Sequence, residues 1–134
     1  MIESSVSRSS AKRVLIVEDN EDSALSLKML LEAMGYLVEV VHDGESAVGA
    51  SAERRPDLIL MDIGLPGING YEAARQIRNG HAQTPIVIVA LTGWGQEPDR
   101  RKSQEAGIDH HLVKPLVLDQ LKRILEPAQV SGAG

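Results

Sequence analysis

Five side chains, far apart in the sequence, share one chemical theme. Glu18 and Asp19 are adjacent carboxylates in "VLIVEDN", Asp62 ends "LILMD", Thr92 follows "PIVIVAL", and Lys114 precedes a proline in "DHHLVKP". Each closes or follows a run rich in Val, Ile and Leu. Three carboxylates brought together would repel one another and resist joint ionisation. A bound cation removes the conflict. All-oxygen ligation by few carboxylates, with open water positions, suits Mg2+ better than zinc. A nearby ammonium and hydroxyl would then neutralise and orient the oxygens of a phosphoryl group on Asp62. Singly, these residues say less. Asp19 is about as readily a helix cap as a ligand, Thr92 alone is a loop residue, and Lys114 alone is a solvated charge. Asp62 is separated from the next helical pattern by "IGLPGING", so it caps nothing obvious. The convergence of all five carries the argument.

For these residues to meet, the apolar runs must lie side by side. The runs are "RVLIVE" (13–18), "LVEVV" (37–41), "DLILMD" (57–62), "PIVIVAL" (85–91) and "HHLVK" (110–114). Nearly continuous Val, Ile and Leu suits strands buried on both faces, as in a parallel sheet. "LVEVV" is more polar and suits an edge. Helical patterns fall between the runs. In 20–34, Leu27, Leu30, Leu31 and Met34 recur at helical spacing, with Asn20 as N-cap and Gly35 just past the end. Further helices are expected over 44–54, 70–78 (with Tyr71, Ala74 and Ile77 on one face), 96–106 and 116–125 (with Leu118, Leu121 and Leu125 on one face). This alternation predicts a right-handed βαβ series. The fold class is α/β, a three-layer doubly wound (βα)5 sandwich of flavodoxin-like type with a five-stranded parallel sheet. In the order 2-1-3-4-5, the first and third strands are neighbours about 4.8 Å apart. Asp19 and Asp62 would then meet at the switch point, where such sheets bind ligands.

Composition narrows the function classes. The chain has 134 residues, 43% hydrophobic and 25% charged, enough for one domain with a real core. A formal net charge of −5 lacks the basic face that nucleic-acid binding needs. There is no cysteine, which excludes disulfides, thiolate catalysis and Cys-ligated zinc. No apolar run has the length of a membrane span, and "MIESSVSRSSA" has no signal-peptide h-region. A cytoplasmic protein is expected, with no membrane or nucleic-acid partner. Residues 1–11 read as a flexible serine-rich arm, 12–126 as the folded domain and 127–134 as a flexible tail.

The motifs "VLIVEDN", "LILMDIGLPGINGYE", "IVALTGWG" and "AGIDHHLVKP", in that order, resemble the receiver domain of two-component response regulators. The resemblance covers roughly residues 12–126. It implies a phosphorylation-dependent signalling switch that takes a phosphoryl group from a phosphohistidine of a histidine kinase or histidine phosphotransfer domain. It implies Asp62 as phosphoacceptor and Glu18 and Asp19 as the acidic pocket. Asp19, Asp62 and the Gly64 backbone carbonyl would be Mg2+ ligands, with Glu18 acting through water. Thr92 is the implied switch hydroxyl, and Lys114 the implied phosphoryl contact. Lys114–Pro115 is expected to be a cis peptide, an uncommon choice that would be a built feature. Gly64 and Gly93 leave room for the phosphoryl group. Output would pass through the face of the fourth helix, fifth strand and fifth helix, to an output partner or a second copy. Phosphotransfer and self-dephosphorylation are the only chemistry implied, not a metabolic turnover. The chain has no room for an output domain, so it reads as a single-domain regulator or as the receiver of a larger protein. Its last motifs lean towards receivers attached to hybrid histidine kinases.

Some residues depart from that pattern. His111 stands where the family usually has Tyr or Phe three residues before the lysine. It reads either as a surface residue or as a group that responds to pH near neutrality. Trp94 reads as a half-exposed loop aromatic or as a lid or partner contact. His110 and His111 do not suit one metal ion, because neighbours on a strand point to opposite faces. In "PLVLDQL", Leu116, Val117 and Leu118 do not all face a core at helical spacing, so one is a partner contact or the first turn is irregular. Two other classes fit less well. A flavin module would need a phosphate cradle where "VEDNED" puts acid. An aspartyl phosphohydrolase would need a second aspartate two past Asp62, where Gly64 stands.

Overall fold

The first strand, β1 (Arg13–Val17), is almost wholly buried, and its neighbours follow from its register. Val14 to Val17 pair in parallel with Leu58 to Met61 of β3 (Leu58–Asp62) on one side. The other side pairs with β2 (Leu37–Val41). β4 (Val87–Thr92) continues from β3, and β5 (His110–Val113) from β4. The order is β2-β1-β3-β4-β5, all parallel, as the sequence predicts. The computed structural model describes residues 12–65, 67–80, 86–93, 100–114, 116 and 118–125, without the Leu118 side chain. The arm 1–11, the tail 127–134, Trp94 and the Lys114–Pro115 peptide lie outside the described residues.

Five helices alternate with these strands: α1 (Glu21–Ala33), α2 (Gly44–Arg54), α3 (Gly70–Gly80), α4 (Arg100–Ala106) and α5 (Leu118–Leu125). The period-2 alternation of strand side chains builds two cores. Leu15, Val17, Ile59, Met61 and Ile88 face one side, against Ala47 and Ala50 of α2, Ala73, Ala74 and Ile77 of α3, and Ala106 of α4. Val14, Ile16, Leu58, Leu60, Val89, Leu91 and Leu112 face the other, against Leu31 of α1 and Leu121 and Leu125 of α5. Alanine on the facing surfaces of α2 and α3 lets both helices lie close to the sheet.

Local chemistry sets the element ends. The Asn20 side chain accepts from the Ser23 N–H, capping α1 as predicted, and Gly35 takes φ 97° just beyond its end. Asp43 caps α2 in the same way through the Ser46 N–H. The Asn69 carbonyl Oδ1 accepts from the Glu72 N–H at 3.0 Å, so Asn69 and not Asp62 satisfies the start of α3. One sequence expectation needs correction. Leu30 does not join the core with Leu31: it is 37% exposed, and buried Ala24 takes part instead. Leu25 and Met29 are more exposed still. The apolar surface of α1 is wider than the stripe that packs on the sheet.

Candidate functional site

The carboxyl ends of β1, β3 and β5 converge. Asp62 is the last residue of β3, Glu18 follows β1 directly, and Lys114 follows β5 directly. Glu18, Asp19 and Asp62 each offer a carboxylate oxygen within 4.8 Å of the others, the one such group among the described residues. No histidine belongs to it, so the paired-histidine metal reading gains nothing. Burial grades across the cluster: Glu18 is buried, Asp62 is half-buried and Asp19 is exposed.

Each carboxylate is oriented. The Asn20 N–H donates to Glu18 Oε2 at 3.1 Å, and the Lys114 ammonium bonds Glu18 Oε1. Lys114 Nζ also donates to Asp62 Oδ2 at 3.2 Å. The Gly64 N–H donates to Asp62 Oδ1 at 2.8 Å. Both oxygens of Asp62 are therefore aimed by the protein. Burial alone would weaken the hold of Lys114 on its proton. The bonds and charges of Glu18 and Asp62 outweigh that, and its pKa stands above the ordinary lysine value. Three carboxylates against one ammonium still leave an excess of negative charge facing solvent at Asp19. An oxygen-only cluster with an exposed side fits a hard, partly hydrated divalent cation.

Thr92, the last residue of β4, spends its hydroxyl on a strand neighbour in this arrangement. It is fully buried, and its hydroxyl donates to the Leu112 carbonyl at a long 3.4 Å. Its own carbonyl accepts from the Lys114 N–H at 2.8 Å, tying the end of β4 to the lysine. Gly64 is exposed in the β3–α3 loop, and its N–H is already engaged with Asp62. His111 is half-buried rather than on the open surface. Its Nε2 lies 2.7 Å from the hydroxyl of buried Ser103 on α4. Burial pushes its pKa down, with the Arg100 and His110 charges adding to the effect. Leu116 is partly buried against the Leu121 core.

Two features escaped the sequence reading. One is a cleft of about 630 Å3 between α1 and the start of α5, opening beside Glu18 and Lys114 and walled by Leu27, Leu30 and Leu116. Its signal was the excess of leucine on α1. The other is the support under Asp62. A Cβ on Gly70 would stand 2.6 Å from Ile63 Cα and 3.1 Å from the Asp62 carbonyl, so α3 begins pressed against the backbone of Asp62. No spacing rule announces such a contact.

Residues 14–126 match the family described as response regulator receiver domain. The chain belongs to that family. Among curated relatives, this receiver is 38% identical over 120 residues to the sensor protein GacS of Pseudomonas syringae pv. syringae, covering 87% of this chain and 13% of that protein. It is 36% identical over 108 residues to YkoG, an uncharacterized transcriptional regulatory protein of Bacillus subtilis (strain 168), covering 81% of this chain and 46% of YkoG. The receiver thus spans only part of these relatives. Among solved structures, it resembles the receiver domain of sensor histidine kinase PA1611 of Pseudomonas aeruginosa PAO1, which has a magnesium ion coordinated in its active site cleft. The TM-score is 0.76 at 37% identity, covering 88% of this chain and 97% of that one. It also resembles the complex of the Saccharomyces cerevisiae phosphotransfer protein Ypd1 with the receiver domain of Ssk1. There the TM-score is 0.78 at 33% identity, with 87% of each chain covered. The receiver is a component of two-component signalling. No helix among its described residues is long and apolar enough to cross a membrane.

Proposed function

We propose that this receiver takes a phosphoryl group from a phosphohistidine onto Asp62 and works as a Mg2+-dependent signalling switch. The observation that carries the reading is the joint aim of Lys114 Nζ and the Gly64 N–H at the two oxygens of Asp62, beside Glu18 and Asp19. Asp19, Asp62 and the Gly64 carbonyl, with Glu18 through water, would hold Mg2+, which supplies positive charge against the phosphoryl oxygens when bound. An Asp62 oxygen attacks phosphorus, the phosphorus–nitrogen bond breaks, and the imidazole leaves with the bonding pair. Lys114 releases Asp62 Oδ2 to pair with a phosphoryl oxygen. Transfer rests on positioning and charge neutralisation. Water later cleaves the acyl phosphate and restores Asp62. The protein's chemistry is limited to that transfer and self-dephosphorylation.

The Thr92 hydroxyl, held only weakly by Leu112, turns to a phosphoryl oxygen and biases the α4–β5–α5 face between two arrangements. Trp94 and His111 are proposed residues of that face, and exposed Val113 lies on it. It would receive an output partner or a second copy. The donor would be a histidine kinase or a histidine phosphotransfer domain, approaching over the leucine-walled cleft that opens at Lys114. The folded unit is assigned to 12–126.

The deciding experiment is labelling by acetyl phosphate and by a phosphohistidine protein, with Mg2+, of the wild type and Asp62→Asn. Label is expected on the wild type alone. Equal labelling of both would remove Asp62 from its role.

A further inference from the structure

The β2–α2 corner, residues 41–44, touches both loops that carry the carboxylates. On one side the Glu18 N–H donates to the Val41 carbonyl at 3.1 Å. His42 Nδ1 lies 3.0 Å from the Glu18 carbonyl, and a carbonyl only accepts, so Nδ1 carries the proton. On the other side the first residue of α2 meets the β3–α3 loop. A Cβ on buried Gly44 would stand 2.7 Å from Ile68 Cγ1, 2.9 Å from the Ile68 carbonyl and 3.2 Å from Ala73 Cβ. The Asp43 cap, with Oδ1 2.7 Å from the Ser46 N–H, starts the helix at this glycine.

The described residues of the loop that Gly44 presses on are held at other points too. Leu65 and Ile68 pack into the core beside Met61, and Gly70 seats the loop's far end against Ile63 and Asp62. Its near end places the Gly64 N–H on Asp62 Oδ1. Displacing Ile68 by the room a methyl group needs would therefore move the loop as a body. Packed interiors pass such a shift on rather than absorb it.

We infer that Gly44 is a positioning residue: by lacking a Cβ it lets α2 seat the β3–α3 loop through Ile68, and so holds the Gly64 N–H on the acceptor carboxylate. Gly44 touches no substrate. Its effect on phosphorylation rests on the function proposed above, whereas its effect on the Gly64 amide does not.

The test uses the full chain labelled with nitrogen-15, as wild type, Gly44→Ala, Ile68→Ala and the double variant. Asp62→Ala serves as the reference for an unbonded Gly64 amide. In Gly44→Ala the Gly64 amide resonance should move towards its position in Asp62→Ala. Labelling by acetyl phosphate should slow by roughly tenfold or more, as sub-ångström misplacement does. In the Ile68→Ala background, adding Gly44→Ala should shift the Gly64 amide less, since Cγ1, the nearer of the two colliding Ile68 atoms, is gone and only the backbone carbonyl at 2.9 Å remains. An unmoved Gly64 amide in Gly44→Ala, or shifts that simply add in the double variant, overturns the inference. If Gly44→Ala does not fold, Ile68→Ala alone decides: removing the strut should loosen the Gly64 amide, and a wild-type resonance overturns the inference. A shifted amide in a protein that takes no label even as wild type would leave the positioning role standing and reject the proposed function.

Discussion

Lys114 Nζ lies 3.2 Å from Asp62 Oδ2 while bonded to Glu18, so one ammonium from the end of β5 is shared by carboxylates from the ends of β3 and β1. The lysine holds the Asp62 carboxylate in place and, under the proposed function, is the group that moves to a phosphoryl oxygen. Lys114→Met should slow labelling of Asp62 by about a hundredfold, the usual cost of losing one preorganised donor. Mass spectrometry of the acetyl phosphate reaction over time measures this.

The same lysine sets a pH dependence. Its pKa is higher folded than unfolded, so its contribution to stability is complete below the ordinary lysine value of about 10.4. The contribution disappears as pH rises through the folded value. The stability gap between wild type and Lys114→Met should therefore be constant from pH 7 to 9 and shrink only beyond about 10.4. Urea titrations at constant ionic strength across that range check it.

Glu18 is buried, with Oε1 on Lys114 and Oε2 on the Asn20 N–H. Glu18→Gln keeps its shape and removes its charge. Mg2+ affinity should fall by about ten- to a hundredfold, as when supporting groups around metal ligands are changed. Calorimetric Mg2+ titration reads this without any phosphoryl donor.

Thr92→Ala should separate stability from switching. The bond it deletes is long, so the loss of stability should stay near about 1 kcal/mol. The response of Ser103 and His111 to beryllofluoride, followed by amide resonances, should be lost or strongly reduced. An unchanged response would show that Thr92 does not carry the signal to β5.

His111 gives an opposite pH sign. Its pKa is lower folded than unfolded, chiefly through burial. Its stabilising share is complete above the unfolded value of about 6.5 and declines as pH falls below it. Between pH 7.5 and 5.5 the wild type should lose more stability than His111→Gln, and thermal midpoints of the two proteins show the difference. The His111–Ser103 contact also ties β5 to α4, so Ser103→Ala should loosen the α4 amides to hydrogen exchange.

Much of this protein was legible in the chain itself. Strand runs and helix caps are local, because a buried parallel strand needs unbroken Val, Ile and Leu and a helix start needs a side-chain acceptor. Asn20, Gly35 and the five strands needed no partner to be recognised. The site residues were visible because they interrupt apolar runs at their ends. What the tertiary structure decided is contact. The sheet order brings Glu18 beside Asp62 and carries Lys114, 96 residues from the first and 52 from the second, to both. It points the Thr92 hydroxyl at Leu112, buries His111 against Ser103 and leaves Leu30 over a cleft. It also sets Gly44 against Ile68 and Gly70 against Asp62, where space for one methyl group is missing. Periodicity tells which face of an element turns inward, but only the packed fold determines which atoms meet there.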